Sequence, residues 1–430
     1  MYVRRSNSVS NWGYTAWALL VALAAAALVL PAAASDKKNR NAAPPAHNVP
    51  KLDDKKVSFD LSKIVWPGPP AIARIRWVKQ FTGEKIDTTA ANKTAQKQKW
   101  MDRLAGTKTE TEKQADIPFQ LLRPFGITSD SMGRVYVADQ SVGAIFIFNP
   151  ETSDVEMIKN GHNASFGLLY GLAMDDNDRL FATDLSKRHV AVFDAKHNEE
   201  TTFGSGILAL PGGIAVDSEN RFIYVVDTGN DVVDVFDADS FKLLRHIGTP
   251  GKKHTLSEPG TFSLPSSVAV DKEGNVYVTD ALNCRVEIFD ADGNFISMFG
   301  KEGDAAGTFQ RPKGIAIDAD GHIWVVDGVQ DRVKVFDKDG RLLVYFGQHG
   351  EWPGMFMQAN MIGIDKDNRV FVSEQFYGRV QVFRYVTDAE AEELHKEHAT
   401  GKTAAPTDEP KSSPPSDPKT DPAVKGPGAK

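Results

Sequence analysis

Six acidic residues recur along this chain at intervals of 45, 43, 53, 47 and 47: Asp139, Asp184, Asp227, Asp280, Asp327 and Glu374. Carboxylates at such a period can do one of two things. Converging on one point, they would ring a hard cation such as calcium, which takes oxygen ligands. Spread over separate units, each would accept nearby backbone amides or pair with a cation. Arg188, Arg285, Arg332 and Arg379 stand four or five residues after four of the acids, in position for such pairing. A residue repeated almost unchanged serves the repeat, so the acid and arginine ring is expected to be structural and to hold no metal.

A second set of residues varies. Fifteen residues before five of the acids stand Pro124, Leu169, Pro265, Pro312 and Ala359, and sixteen before Asp227 stands Pro211, with the extra residue near Arg221. The position after each opener is Phe125, Tyr170, Gly212, Ser266, Lys313 and Asn360, different every time. Aromatic, hydroxyl, ammonium and amide groups brought together would bind a small polar ligand or a partner. The ten histidines show no metal-ligand spacing in the repeat region, and His395 and His398, three apart, make at most half a site. The chain has no nucleophile elbow, since Phe203-Gly-Ser-Gly206 lacks the spacing, and no phosphate loop or dinucleotide fingerprint. No catalytic residue is assigned.

The elements that position these residues are legible in residues 264–300. Short runs of Val, Ile, Tyr and Phe alternate with Asp/Gly/Asn turns: strands at 267–270, 276–279, 285–289 and 294–299. Residues 311–347 and 210–248 repeat the plan, and looser copies start near 123, 169 and 359. Units of four strands at this period imply a β-propeller. With the P-x-G-[IV]-A-[VI]-D opening, the Y-V-x-D second strand, the Asn283-Cys-Arg285-Val286 third strand and the [FI]-G close, the chain resembles the NHL-repeat family of six-bladed β-propellers. Thr128-Ser129 and Glu374 depart from that pattern. The resemblance implies an all-β ring of four-stranded blades, with the variable set and the acids at one mouth of its channel. It leaves function open, because the family includes sensors, scaffolds, RNA binders and a few lyases.

The last repeat has only three strands, so the outer strand of its blade is expected from residues 74–81, closing the ring. The flanks differ in composition. Arg4 and Arg5, the uncharged run 14–30 and the small residues 31–34 read as a secretory signal cut after Ala34, or as an anchor tethering the protein to a membrane. Residues 35–63 read as a linker and 64–386 as the propeller. Residues 84–117 are an insertion whose Trp100, Met101 and Leu104 suggest an amphipathic helix. Residues 252–254 sit in a long connector. A short helix at 387–399 with Asp388 as N-cap precedes a disordered tail, 400–430. The net charge of −7 argues against a nucleic-acid partner, and the single Cys284 permits no internal disulfide. The expectation is therefore a monomeric, extracytoplasmic, non-catalytic propeller that binds a protein or envelope partner through one rim. The alternative is a metal-dependent lactonase or lyase with its ion in the channel.

Overall fold

In a computed structural model, residues 60–83 and 120–399 are described, apart from 69, 153, 161–163 and 250–256. The expected signal, most of the linker, the insertion helix, His162, Lys252 to His254 and the tail lie outside the described residues. Among the described residues no helix is long and apolar enough to cross a membrane.

Six antiparallel sheets follow one another along the chain. Blade 1 runs over residues 124–159, blade 2 over 169–203, blade 3 over 211–247, blade 4 over 265–299 and blade 5 over 312–346. Blade 6 combines Ala359–Ile364, Arg369–Glu374 and Arg379–Tyr385 with Ile75–Phe81 from the start of the chain and the two-residue strand Val65–Trp66. Ile75 pairs with Tyr385 and Phe81 with Val380, so the two ends of the ring meet inside one sheet, as expected from the missing fourth strand. Trp77 donates its indole N–H to Gln381 at 3.0 Å across that seam.

The inner and middle strands are buried on both faces, Val135–Asp139, Ala144–Phe148 and Val276–Asp280 throughout their length. This explains why they read as apolar runs without alternation. The faces meet between blades. Tyr224, Val226, Val233 and Val235 of blade 3 pack against Phe262 and against Val268, Val276 and Val278 of blade 4. Phe262, Phe309 and Phe356 each plug such a seam, and each lies where a Cβ on the closing glycine of the preceding blade would stand, 2.5–2.7 Å away. Those glycines, Gly248, Gly300 and Gly347, also have φ of 87–95°, so the [FI]-G close is required twice over.

The spacing of fifteen is the register of the inner hairpin. Pro124 pairs with Asp139, Leu169 with Asp184, Pro265 with Asp280, Pro312 with Asp327 and Ala359 with Glu374. Pro211 pairs with Asp227 over sixteen residues, and the added residue is absorbed at Arg221, whose φ is 58°. After the ring, helix α1 (Asp388–Ala399) begins with Thr387 as its cap, not Asp388. The Thr387 hydroxyl accepts from the amide of Glu390, whose carboxylate accepts from the amide of Thr387. Asp388 instead reaches Arg74 at 2.9 Å.

Candidate functional site

The channel mouth is organised by a contact repeated in all six blades. The first residue after the closing acid, or the second in blade 4, donates its amide to a carbonyl one or two residues before the inner strand: Gln140 to Arg123, Leu185 to Leu168, Thr228 to Leu210, Leu282 to Ser263, Gly328 to Arg311 and Gln375 to Gln358. Entry to the inner strand and exit from the second strand therefore share one rim.

The closing acids clamp this rim. Asp139 accepts amides of Leu122 and Arg123 on one side and of Ser141 and Val142 on the other, at 2.7–2.9 Å. Asp184 takes amides of Gly167, Leu168, Ser186 and Lys187, which hold its carboxyl below the ordinary range against the opposing effect of burial. Asp227 and Asp327 accept in the same way from both flanking loops. The arginine partners are fewer than the spacing suggests. Arg285 binds Asp280 at 2.9 Å and Arg379 binds Glu374 at 2.8 Å. Asp327 instead takes Lys334, fully buried at 3.2 Å, while Arg332 lies over the Tyr345 ring. Arg188 is exposed and sits in the turn after Asp184, at φ 56°. Each acid is engaged on its own blade, so the six do not form one oxygen cage.

The variable set owes its placement to a register shift. Every inner hairpin slips between the opener and the residue two or three further on, for example between Pro312 and Ile315. Such a bulge re-aims side chains, and it falls on the position that differs from blade to blade. The glycine of P-x-G is needed there because neighbouring inner strands nearly touch. A Cβ on Gly213 would lie 2.6 Å from Ser267 Cα, and one on Gly314 2.7 Å from Met361 Cα.

A cavity of ≈ 220 Å³ opens at this mouth. Phe125 and Tyr170, with ring centroids 4.5 Å apart, form one wall, and Leu185, Leu210, Thr228, Ser266, Arg311 and Lys313 complete much of the lining. Gly212 also lines it. Burial pushes the Tyr170 hydroxyl up to about 12, so it stays a donor at neutral pH. The Ser266 hydroxyl meets Thr279 at 2.9 Å and donates to the Lys313 carbonyl at 2.9 Å, which occupies it within the wall.

Lys313 is the chemically distinctive group. Its stem passes over Gly328, where a Cβ would stand 2.5 Å from Lys313 Cε. The corresponding residue in the other blades is Gln140, Leu185, Thr228, Ala281 or Gln375, each with a Cβ where the lysine stem passes in blade 5. The ammonium donates to Asn360 Oδ1 at 2.7 Å. Burial, then the neighbouring Arg311, hold its pKa below the ordinary lysine value. Asn360 is 1% exposed, and its Nδ2 has no partner among the described residues. The cavity lining thus offers donors, the Lys313 ammonium, the Tyr170 hydroxyl and the exposed Arg311 guanidinium, and the unpartnered Asn360 amide lies buried beside Lys313. Arg311 was not anticipated from the sequence, since it precedes the repeated motif.

Among the described residues, one group of three has metal-ligand proximity: Asp318, Asp320 and His322, in the turn at the opposite rim. Asp318 is already committed there, accepting from the Trp324 indole, from Tyr385 and from His322.

Residues 173–301 match the family described as SMP-30/Gluconolactonase/LRE-like region, and residues 309–336 match the NHL repeat. Over 176 residues the chain is 28% identical to a probable peptidyl-alpha-hydroxyglycine alpha-amidating lyase of Caenorhabditis elegans. That alignment takes in 37% of this chain and 49% of the relative, so the chain spans about half the length of the curated relative it matches. A protein of unknown function from Bacteroides thetaiotaomicron superposes with a TM-score of 0.52 at 18% identity, over 63% of this chain and 71% of that one. A gluconolactonase from Xanthomonas campestris superposes with a TM-score of 0.48 at 19% identity, over 62% and 87%. These superpositions are likenesses of fold.

Proposed function

We propose that this chain, which is an NHL-repeat β-propeller of six blades, is an enzyme of lyase or lactonase type acting on a small carbonyl-bearing substrate at the channel mouth. The observation that carries the reading is the Lys313–Asn360 pair: a half-buried ammonium given room by a glycine, beside a buried amide N–H with no partner. The matched SMP-30/gluconolactonase-type region and the lyase relative support the same class.

The chemistry follows from the donor set. Opening a lactone or breaking a carbinol C–N bond places developing negative charge on a substrate oxygen, and fixed donors in a dry site stabilise it. Asn360 Nδ2 and Tyr170 Oη are such donors at neutral pH. A lowered pKa increases the share of Lys313 present as free amine. That amine accepts the proton released when water adds to a lactone carbonyl, or when a hydroxyl becomes a carbonyl as its C–N bond breaks, and the resulting ammonium returns it to the departing ring oxygen or amide nitrogen, so that a hydroxy acid, or an amide and a carbonyl compound, leaves. Phe125 and Tyr170 supply an apolar wall that strengthens these interactions.

A divalent ion in the channel, calcium or another, would accompany the lactonase reading in its metal-dependent form. The described mouth residues do not fit one. The oxygen that could ligate it, Asn360 Oδ1, already faces an ammonium, and the closing acids are taken up by amides and cations. No step here is routed through a metal.

The test is turnover of a panel of lactones and N-acyl-α-hydroxyglycines by the purified protein and by Lys313→Ala. The expected result is turnover by the parent that falls at least a hundredfold in the variant. Turnover unaffected by Lys313→Ala would sink this reading. The second reading, a non-catalytic scaffold for a protein or envelope partner, draws on exposed apolar side chains along the same rim. Residues 1–34 support an extracytoplasmic location for either function.

A further inference from the structure

The two rims of the ring differ in a way the mouth chemistry alone does not explain. At the mouth, each blade exposes a large apolar side chain within two residues of its rim hydrogen bond. These are Leu122, Leu168, Leu210, Leu282, Val329 and Phe376, between 37 and 57% exposed. At the opposite rim the inner turns are built from Asp, Asn, Ser, Glu, Lys, Arg, His, Ala and Gly, and Met132 is the only large apolar residue exposed among them. Single exposed leucines are ordinary, but a crown with a member on every blade of one rim marks an interaction surface.

The crown encircles a centre whose free hydrogen-bonding groups are donors. A molecule complementary to both parts has an oxyanionic or carbonyl head and an apolar body. We propose that the substrate class of this mouth is an amphiphile: a carboxylate or acyl head held by Lys313, Asn360 and Arg311, with an aliphatic chain lying across the crown. This rests on the proposed small-molecule site at the mouth and adds to it the nature of the substrate's tail. A protein partner would meet the same crown, but it would not account for a buried, unpartnered Asn360 N–H beside a lysine.

The experiment is binding of butyrate, hexanoate and octanoate, as free monomers, to the full chain by calorimetry. A methylene that leaves water completely tightens binding about fourfold, which corresponds to ~0.8 kcal/mol. A chain lying on a half-exposed crown should therefore gain about twofold per methylene. Lys313→Ala should weaken all three acids by a common factor of at least ten. The double substitution Leu282→Ser, Val329→Ser, at two exposed positions, should flatten the dependence on chain length.

Acids that bind through Lys313 with one affinity at every length would overturn the amphiphile and leave the mouth site standing. Failure of every acid to bind, or indifference to Lys313→Ala, would overturn the mouth site itself. Alkyltrimethylammonium ions of equal length binding as well as the acids would mean simple adsorption to the crown and overturn the inference. So would retention of the protein on phosphatidylcholine vesicles without any acid, which would make the crown a membrane contact.

Discussion

Replacing Gly213 with alanine should destabilise the ring by steric conflict alone. The added Cβ would lie 2.6 Å from Ser267 Cα, 2.9 Å from Ser267 Oγ and 3.1 Å from the Ser266 carbonyl oxygen. Two of these three atoms are backbone on the neighbouring blade, so a rotamer change cannot relieve the clash. Overpacking of this kind costs about 1–3 kcal/mol. With an unfolding entropy of roughly 2.1 cal/mol/K per residue over an ordered body of about 300 residues, the melting point should fall by about 2–5 °C. The assay is thermal melting by circular dichroism beside Gly68→Ala, an exposed position where a Cβ meets nothing within 4 Å. Gly68→Ala should melt with the parent. Gly213→Ala within 1 °C of the parent would show that the inner strands of blades 3 and 4 are not packed at this distance, and the bulge argument for the mouth would fall with it.

Gly328→Ala tests positioning: the new methyl would meet the flexible Lys313 stem at 2.5 Å and the Ala359 carbonyl oxygen at 2.9 Å, so substrate turnover or binding at the mouth should fall about tenfold. The backbone contact should also lower its melting point by about 2–5 °C, and a loss of stability without loss of function would contradict the placement of Lys313. Trp77→Ala removes a buried ring and an indole hydrogen bond from the closing seam. It should cost about 3–5 kcal/mol, read as a melting point lower by about 5–8 °C. Burial pushes Glu287 up from 4.5 to about 7, so the folded state holds its proton more tightly than the unfolded chain. Its contribution is full below pH 4.5 and is lost as pH rises through 7, by up to roughly 3 kcal/mol. Glu287→Gln, which removes that ionisation, should therefore gain on the parent in melting point between pH 4.5 and 7.5; a constant difference would refute the assignment.

The architecture was legible because register is written directly in spacing. Opener and acid are backbone partners, and a partner distance survives any change of side chain. The mouth positions were legible for the same reason, since the bulge falls at a fixed place in the motif. What escaped depends on side-chain reach. Arg332 and Asp327 are opposed in register as Arg285 and Asp280 are, yet Lys334 from two residues further on reaches the acid while Arg332 turns to Tyr345. The same interior position carries Glu287 in blade 4 and Gln381 in blade 6, so each seam settles its polar balance separately. The pairing of Lys313 with Asn360 crosses two blades, and its enabling residue, Gly328, is meaningful only when set against the five bulkier residues at its repeat position. The expected non-catalytic role followed from the lack of carboxylates and histidines on the inner strands, a criterion blind to a site made of hydrogen-bond donors.

The shared sheet of blade 6 also has a bearing on how the protein is made. Ile75 and Tyr385 are neighbours in that sheet although 310 positions separate them in the chain. On the ribosome, Ile75–Phe81 emerges long before its partner strand. At about 5–20 residues per second it waits roughly 15–60 s with its pairing edge unfilled while five blades are synthesised and stack. The last of the ring to be translated is thus the strand that fixes the first, and a chain stalled or truncated before Tyr385 carries an open wheel with two unpaired edges.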